Sequence, residues 1–243
     1  MNNDIVTRRY TSGDYAENNP DWDAADSPWK VERIKALLDS HGLRPSSITE
    51  IGCGAGGGLA GLRPSFPSAD FTGYDIAHGL QRLWERYRDS DIRFVLGDFF
   101  EQDDAAPDLV LVLDVIEHLG NPFEFLDRLR GRCQYAVFHF PLDLSVMSVL
   151  RETPLLHVRR KVGHLHFFTR GLALALLEEC GFEVIEATYT GAAYSAPNRG
   201  LLTRFAGLLR RLARALMGDA GVRLLGGETL MVLARPKIER EGV

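Results

Sequence analysis

The stretch ITEIGCGAGGGLAGL, from Ile48 to Leu62, carries five glycines within seven residues, directly after a short apolar segment. Residues 47–52 predict a strand, and Leu59 and Leu62 indicate that a helix follows the glycines. Glycine permits a tight turn and a close approach to the backbone, and the N-terminus of the following helix favours an anion. This order of elements is typical of a nucleotide-type binding site, with a merely flexible turn as the alternative.

Strands and helices alternate along most of the chain, which predicts a mostly parallel sheet with helices on both faces. The last two strands lack a capped helix between them, so one of them can run antiparallel. The predicted further strands cover residues 70–76, 92–98, 108–116, 135–143, 182–190 and 227–236, and the predicted helices cover residues 27–42, 79–89, 121–133 and 169–181.

Glu50, two residues before the first glycine, bears on which ligand the loop binds. Gly52, Gly54 and Gly57 satisfy the pattern GxGxxG, which alone is weak evidence for a dinucleotide. A carboxylate beside a pyrophosphate would be repulsive in a partly buried site. S-adenosylmethionine has no phosphates, and its sulfonium and ammonium groups suit Glu50, whereas its carboxylate suits the loop amides. The residues therefore favour S-adenosylmethionine.

Acidic side chains follow the next strands where each strand ends, and in an open parallel sheet ligands bind outside these carboxyl ends. Asp75 closes "FTGYDI", where it can accept both ribose hydroxyl protons. Asp98 closes the strand in "FVLGDFF", where it can hold the adenine amine with Phe99 beside the ring. Asp114 follows the strand in "DLVLVL" and is the third acidic side chain at this edge of the sheet.

These motifs resemble those of the class I S-adenosylmethionine-dependent methyltransferases. "EIGCGAG", "GYDI", "GDFF" and "DVIEHL" look like the first four motifs of that family. "HLHFFTRGLALALLEECGFEVIEA" is similar to a later segment of its small-molecule branch, which includes the ubiquinone-biosynthesis O-methyltransferases. The resemblance covers residues 46–235.

The resemblance implies a Rossmann-like, doubly wound α/β sheet of seven strands with the last strand antiparallel. It also implies that Gly52, Gly54 and Gly56 line the methionine part of the cofactor, that Asp75 binds ribose and that Asp98 binds adenine. The cofactor-binding residues predicted in full are Glu50, Gly52, Cys53, Gly54, Gly56, Asp75, Ile76, Asp98, Phe99 and Asp114.

Methyl transfer mainly requires an acceptor held in line with the sulfonium, and an oxygen acceptor also benefits from a base. We predict His118 and His166 as catalytic residues because both fall on loops at the carboxyl edge of the sheet. His118 could instead ligate a metal with Asp114 and Glu117, as in some ubiquinone-type relatives, or simply start a helix. We expect no metal.

The segment "HVRRKVGHLHFFTR" is predicted to be a loop on the same edge, with His157, His164 and His166. A histidine there can act as a base or contact an anionic acceptor, and His166 could alternatively fix the loop by a hydrogen bond. The basic run Arg159–Lys161 is more typical of a solvated face. His139, inside an apolar strand, reads as a hydrogen-bonded core histidine.

The predicted organisation is an N-terminal arm and helix over residues 1–45, a cofactor-binding domain over residues 46–237 and a tail over residues 238–243. Tyr10, Tyr15, Trp22 and Trp29 could cap the acceptor pocket. A helical insertion is predicted near residues 199–218, where "LLTRFAGLLRRLARALMG" (Leu201–Gly218) has leucines on one face and arginines largely off it. Such a helix can lie on an anionic membrane. A lid or dimer helix buried against the domain is favoured.

Composition restricts the classes of partner. The chain has 243 residues, with 28 basic and 33 acidic residues and a formal net charge of −5, which argues against nucleic acid. Three scattered cysteines, a polar start and no membrane-length apolar run favour the cytoplasm, with membrane contact not expected.

We therefore predict a methyltransferase that uses S-adenosylmethionine and a small-molecule acceptor, and the resemblance implies a hydroxyl as a candidate acceptor for O-methylation. The alternatives are a nicotinamide-dependent oxidoreductase on a similar sheet and a non-catalytic protein that retains the cofactor fold. The absence of a Tyr-x-x-x-Lys pattern speaks against the oxidoreductase.

Overall fold

The computed structural model of the protein describes residues 27–102, 106–191 and 201–237. Tyr10, Tyr15, Trp22 and the predicted tail lie outside these ranges. The strands are β1 (Ser47–Ile51), β2 (Asp70–Asp75), β3 (Ile92–Leu96), β4 (Leu109–Leu113), β5 (Tyr135–Leu142), β6 (Phe182–Tyr189) and β7 (Glu228–Pro236). The helices are α1 (Ser27–Ser40), α2 (Gly57–Leu62), α3 (Gln81–Trp84), α4 (Pro122–Arg130), α5 (Val146–Arg151), α6 (Thr153–Lys161), α7 (Arg170–Glu179), α8 (Leu201–Met217) and α9 (Asp219–Leu225).

The seven strands form one sheet in the order β3-β2-β1-β4-β5-β7-β6. The pairs β1–β2, β2–β3, β1–β4 and β4–β5 are parallel, whereas β7 runs antiparallel to both β5 and β6. The predicted sheet, with its last strand antiparallel, is confirmed. The strand order reverses between β1 and β4, and a crevice opens at the carboxyl ends of the strands at such a point.

The core lies on both faces of the sheet because the central strand, β4, is apolar at every position. In β4, Val110 and Val112 pack into the cluster beneath α4 and α7, and Leu109 and Leu111 pack into the cluster beneath α1 and α2. Side chains two residues apart share a face of a strand, so an unbroken apolar run serves both clusters.

Helix α1 belongs to this core. Its predicted stripe of Val31, Ile34, Leu37 and Leu38 is buried, and Gly42 follows the helix in a left-handed conformation with φ of 63°. The division of the chain at residue 45 stays a prediction.

The structure corrects three predicted elements. Residues 79–89 hold only the short α3 and a 3-10 turn over Glu85–Tyr87. Residues 157–161, predicted as loop, end the helix α6. A second helix, α9, follows the single helix predicted between β6 and β7. Within the described ranges, none of the helices combines the length and apolarity needed to cross a membrane.

Candidate active site

A cavity of about 750 Å³ lies at the carboxyl ends of β1, β2, β4 and β5. Its walls come from the glycine loop, the ends of these strands, the first turns of α1, the 3-10 turn after β3 and the segment that leads into α7. A cavity of this size can hold a nucleoside-sized ligand together with a small second molecule.

The glycine loop turns sharply away from β1 to form one wall. Gly52, Gly54 and Gly56 all have positive φ. A Cβ on Gly52 would lie 2.6 Å from Val115 Cγ2, and a Cβ on Gly56 would lie 2.6 Å from Phe94 Cζ. A residue with a side chain would therefore be strained at all three positions and would clash at Gly52 and Gly56. Gly52 and Gly54 line the cavity, whereas Gly56 is buried and is not among the lining residues.

Glu50 lies beneath this loop and is buried. The Leu59 amide donates to the carboxylate, whereas Oε2 has no hydrogen-bond partner among the described residues. Burial raises the pKa of Glu50 from 4.5 to about 8, the charge of Lys30 opposes this and that of Asp75 adds to it. Glu50 is therefore a neutral carboxyl at neutral pH, which a cationic group nearby would ionise.

Asp75, at the end of β2, braces the loop from the other side. Its Oδ2 accepts from the Gly54 amide and its Oδ1 from the Ala77 amide, each at 2.9 Å. Burial raises the pKa of Asp75, and these backbone donors oppose the rise. Asp75 and the half-exposed Ile76 both line the cavity.

Asp98 and the aromatic residues after it form the next wall. Asp98 Oδ1 accepts from the Phe100 amide at 2.9 Å. The ring of Phe99 is buried edge-on against Tyr74, with centroids 5.4 Å apart, whereas Phe100 is only partly buried and packs edge-on against Phe125. Phe100 and Phe125 are not among the residues predicted from the sequence, although the pattern "GDFF" places Phe100 directly after the predicted Phe99.

Asp114 is held at a position of positive φ, 54°, by two partners from distant parts of the chain. Lys30 Nζ donates to Oδ2 and His139 Nδ1 donates to Oδ1, each at 2.6 Å. Burial alone would raise the pKa of Asp114, but the charges of His139 and Lys30 and their hydrogen bonds hold it well below its ordinary value. Both carboxylate oxygens therefore serve this network.

His139 is buried, as predicted, yet it also lines the cavity. Its Nε2 lies 3.4 Å from Thr190 Oγ1, and its ring contacts the edge of Trp29, with centroids 5.6 Å apart. Trp29 and Lys30 thus attach α1 to the site. Nothing in the local sequence of α1 distinguishes Lys30 from an exposed lysine.

Glu117, His118 and His164 meet at the cavity and are named here the histidine–glutamate cluster. One nitrogen or oxygen from each lies within 4.8 Å of the others, an arrangement that could hold a metal ion. Asp114 is absent from this set because Lys30 and His139 occupy its oxygens, so the metal site of Asp114, Glu117 and His118 considered above is not formed.

Glu117 and Asp143 give the two histidines of the cluster different surroundings. Glu117 is fully buried with neither carboxylate oxygen hydrogen-bonded among the described residues, and burial together with the Asp114 charge raises its pKa well above the ordinary value. His118 Nε2 lies 3.9 Å from Glu117 Oε1. His164 Nδ1 donates to Asp143 Oδ2 at 2.6 Å, which leaves the lone pair on Nε2.

His166 lies apart from the cavity. Its Nε2 donates to the Leu119 carbonyl at 2.8 Å, and the Leu165 and His166 amides donate to the Glu117 carbonyl at 2.7 and 3.1 Å. His166 is not among the residues that line the cavity. Its geometry fits the alternative weighed above, a hydrogen bond that fixes the loop.

Comparison with known proteins identifies the family. The model of a family described as "Methyltransferase domain" matches residues 27–187, about two thirds of the chain. The chain belongs to this family. The methyltransferase is 29% identical over 223 residues to the malonyl-[acyl-carrier protein] O-methyltransferase of Geobacter sulfurreducens, covering 90% of this chain and 72% of that protein.

Solved structures share the fold of the methyltransferase. The magnesium protoporphyrin IX methyltransferase of Synechocystis PCC 6803 with bound SAH matches with a TM-score of 0.59 at 15% identity, over 96% of this chain and 98% of that one. The plantazolicin methyltransferase BpumL, in complex with an analogue and SAH, matches with a TM-score of 0.62 at 16% identity, over 96% and 94%. The predicted class I S-adenosylmethionine-dependent methyltransferase is confirmed by the family match and the shared fold.

Proposed function

We propose that the methyltransferase binds S-adenosylmethionine along the glycine loop and transfers its methyl group to an acceptor hydroxyl in the same cavity. The observation that carries this proposal is the buried Glu50 beneath a loop whose Gly52 and Gly54 line the cavity. A cationic methionine group would ionise Glu50 and be attracted to the resulting carboxylate, whereas a pyrophosphate would keep the carboxyl protonated and gain no charge attraction from it. This contrast favours methyl transfer over hydride transfer from a nicotinamide.

The other predicted cofactor contacts follow from the same pose. Asp75 would accept from the ribose hydroxyls, next to Ile76. Asp98 would accept from the adenine amine, with the partly exposed ring of Phe100 beside it rather than the buried ring of Phe99. Asp114 would act indirectly, by holding Lys30 and His139 at the methionine end. Two of the structural neighbours are named as complexes with SAH, which supports a cofactor of this chemical class for the shared fold.

The two histidines of the histidine–glutamate cluster would contact the acceptor and take its proton. His164, with Asp143 on its Nδ1, presents Nε2 as a proton acceptor, and His118 lies beside it with ring centroids 5.0 Å apart. The acceptor oxygen would form a bond to the methyl carbon as the methyl–sulfur bond breaks, its proton would pass to a histidine nitrogen, and the former sulfonium would leave as the neutral thioether of S-adenosylhomocysteine. His118 and His164 are the proposed catalytic residues, and His166 is a positioning residue for the loop.

Carboxyl O-methylation is the second candidate because the Geobacter relative is named for a malonyl group. A carboxylate acceptor needs no base, so the histidine–glutamate cluster would be superfluous. It would also need a cation at the methyl-transfer end, but Lys30 is paired there with Asp114, and Arg128 lies over the Phe100 ring at the proposed adenine end. A neutral hydroxyl on a small molecule therefore fits better.

Single-turnover rates of matched histidine variants test the proposal. An acceptor is first found by following S-adenosylhomocysteine release with a panel of phenols and aliphatic alcohols and their carboxylic acid counterparts. His118→Ala or His164→Ala should then lower the rate by at least about 100-fold without weakening S-adenosylhomocysteine binding. His157→Ala, exposed on α6, is the control. Near-normal rates in both variants, or turnover of carboxylic acids alone, would refute the histidine base.

A further inference from the structure

Helix α8 packs on the domain through its arginines rather than through its leucines. Arg214 Nη1 pairs with the buried Glu228 at 3.2 Å, and its guanidinium carbon lies 5.7 Å from the Tyr189 ring centroid. Arg210 lies against Gly227, where a Cβ would come within 2.8 Å of the guanidinium carbon. Gly207, on the same face, is buried.

The leucine face of α8 consequently points away from the domain. Leu208, Leu209, Leu212 and Leu216 are 61%, 46%, 53% and 76% exposed, and Met217 is 50% exposed. The favoured prediction that this face is buried against the domain is wrong for these residues. A row of exposed leucines along one helix is unusual for a chain that folds alone, and it marks a surface that contacts something apolar.

Neighbouring helices extend this surface. Helix α9 packs against α8, and α5 packs against α9. Val146, Val149 and Leu150 of α5 are 49%, 55% and 74% exposed. We name the exposed apolar side chains of α8 and α5 the apolar face.

The charge around the apolar face is opposite to that of the whole protein. Residues 201–225 hold five arginines and one aspartate, although the whole chain has a net charge of −5. Arg211 and Arg223 are exposed there, and the exposed run Arg159–Lys161 ends α6, which follows α5 directly. A second copy of the chain related by two-fold symmetry would set this positive surface against itself, whereas an anionic lipid surface is complementary to it.

We infer that the methyltransferase docks on anionic lipid bilayers through the apolar face, with the leucines of α8 in the interface and the surrounding arginines at the headgroups. Apolar burial and attraction to anionic lipid together stabilise such a helix at a membrane surface. The contact is peripheral, so the catalytic domain stays in water. This inference is independent of the acceptor and of the histidines, and it replaces the expectation of no membrane contact.

Vesicle flotation of the full-length protein tests the inference. Vesicles with roughly 30 mol% phosphatidylglycerol in phosphatidylcholine should bind the protein at least about tenfold more strongly than phosphatidylcholine alone, and high salt should weaken the binding. The double substitution Leu212→Asp and Leu216→Asp should lower binding at least about tenfold with S-adenosylhomocysteine affinity unchanged. These side chains are exposed, so their replacement does not disturb the core.

The matched control is Leu172→Asp, because Leu172 on α7 is 52% exposed, like Leu212, but lies outside the apolar face. It should bind vesicles like the wild type. No binding to anionic vesicles, equal loss in the control, or a dimer in sedimentation velocity that the double substitution dissociates would overturn the inference.

Discussion

Replacement of Glu50 by glutamine tests whether the carboxyl beneath the glycine loop is neutral in the free protein. Burial raises its pKa from 4.5 to about 8. Because the folded protein holds this proton more tightly than the unfolded chain, the stabilising contribution is complete below pH 4.5 and is lost as the pH rises to about 8. One pKa unit corresponds to about 1.4 kcal/mol, so the loss between pH 5 and pH 8 is about 4 kcal/mol.

Urea unfolding of the free protein measures this loss. Between pH 5 and pH 8 the free energy of unfolding of the wild type should fall by about 4 kcal/mol more than that of Glu50→Gln, because glutamine keeps the shape without the titration. The variant should fold, since it mimics the protonated state of Glu50. Glu85→Gln, with an exposed side chain, serves as the control and should follow the wild type.

Ligand binding gives an independent measure of the same proton. With a pKa of about 8, Glu50 is about 90% protonated at pH 7, so binding of the ammonium group of S-adenosylhomocysteine should release close to one proton. Calorimetry in two buffers of different ionisation enthalpy measures the number of protons released on binding. Glu50→Gln should release none and bind at least about tenfold more weakly. Equal pH slopes and equal proton release in variant and wild type would show that Glu50 is not the group that responds to the ligand.

Two further predictions concern the other walls of the cavity. Asp75→Ala should weaken S-adenosylhomocysteine binding at least about tenfold, and it should lower the free energy of unfolding by about 1–3 kcal/mol for each of the two backbone amides that it leaves unpaired. The control, Asp70→Ala, is exposed at the start of the same strand and should change neither quantity. Unchanged affinity in a folded Asp75→Ala protein would contradict the ribose role. Dialysis against a chelator should leave the single-turnover rate within about twofold, since the proposed base needs a free nitrogen lone pair; a loss that a divalent ion restores would make the histidine–glutamate cluster a metal centre instead.

The sequence by itself predicted the sheet and the cofactor edge because both depend on local patterns. An unbroken apolar strand such as Leu109–Leu113 must be covered on both faces, and the residues that follow parallel strands share one edge of the sheet. Gly52, Asp75, Asp98 and Asp114 could therefore be placed around one cavity without knowledge of any side-chain contact.

The hydrogen-bond partners of the site residues could not be predicted, because they come from parts of the chain that are far apart in the sequence. Lys30 reaches Asp114 across 84 positions, and Asp143 selects the tautomer of His164 across 21. His118 and His166 follow the same sheet edge, yet only His118 lines the cavity, because the ring of His166 turns to the Leu119 carbonyl. Which nitrogen has a free lone pair is decided by such contacts.

For helix α8, the sequence determined which side chains share a face, and the tertiary structure determined which face packs on the domain. Periodicity alone predicted that its leucines share a stripe with the arginines largely off it, because side chains three and four residues apart lie together on a helix. The same periodicity fits a helix docked through either face. In the folded protein α8 packs through its arginine face, because the buried carboxylate of Glu228 needs the cation of Arg214 and because Gly227 leaves room for the guanidinium of Arg210.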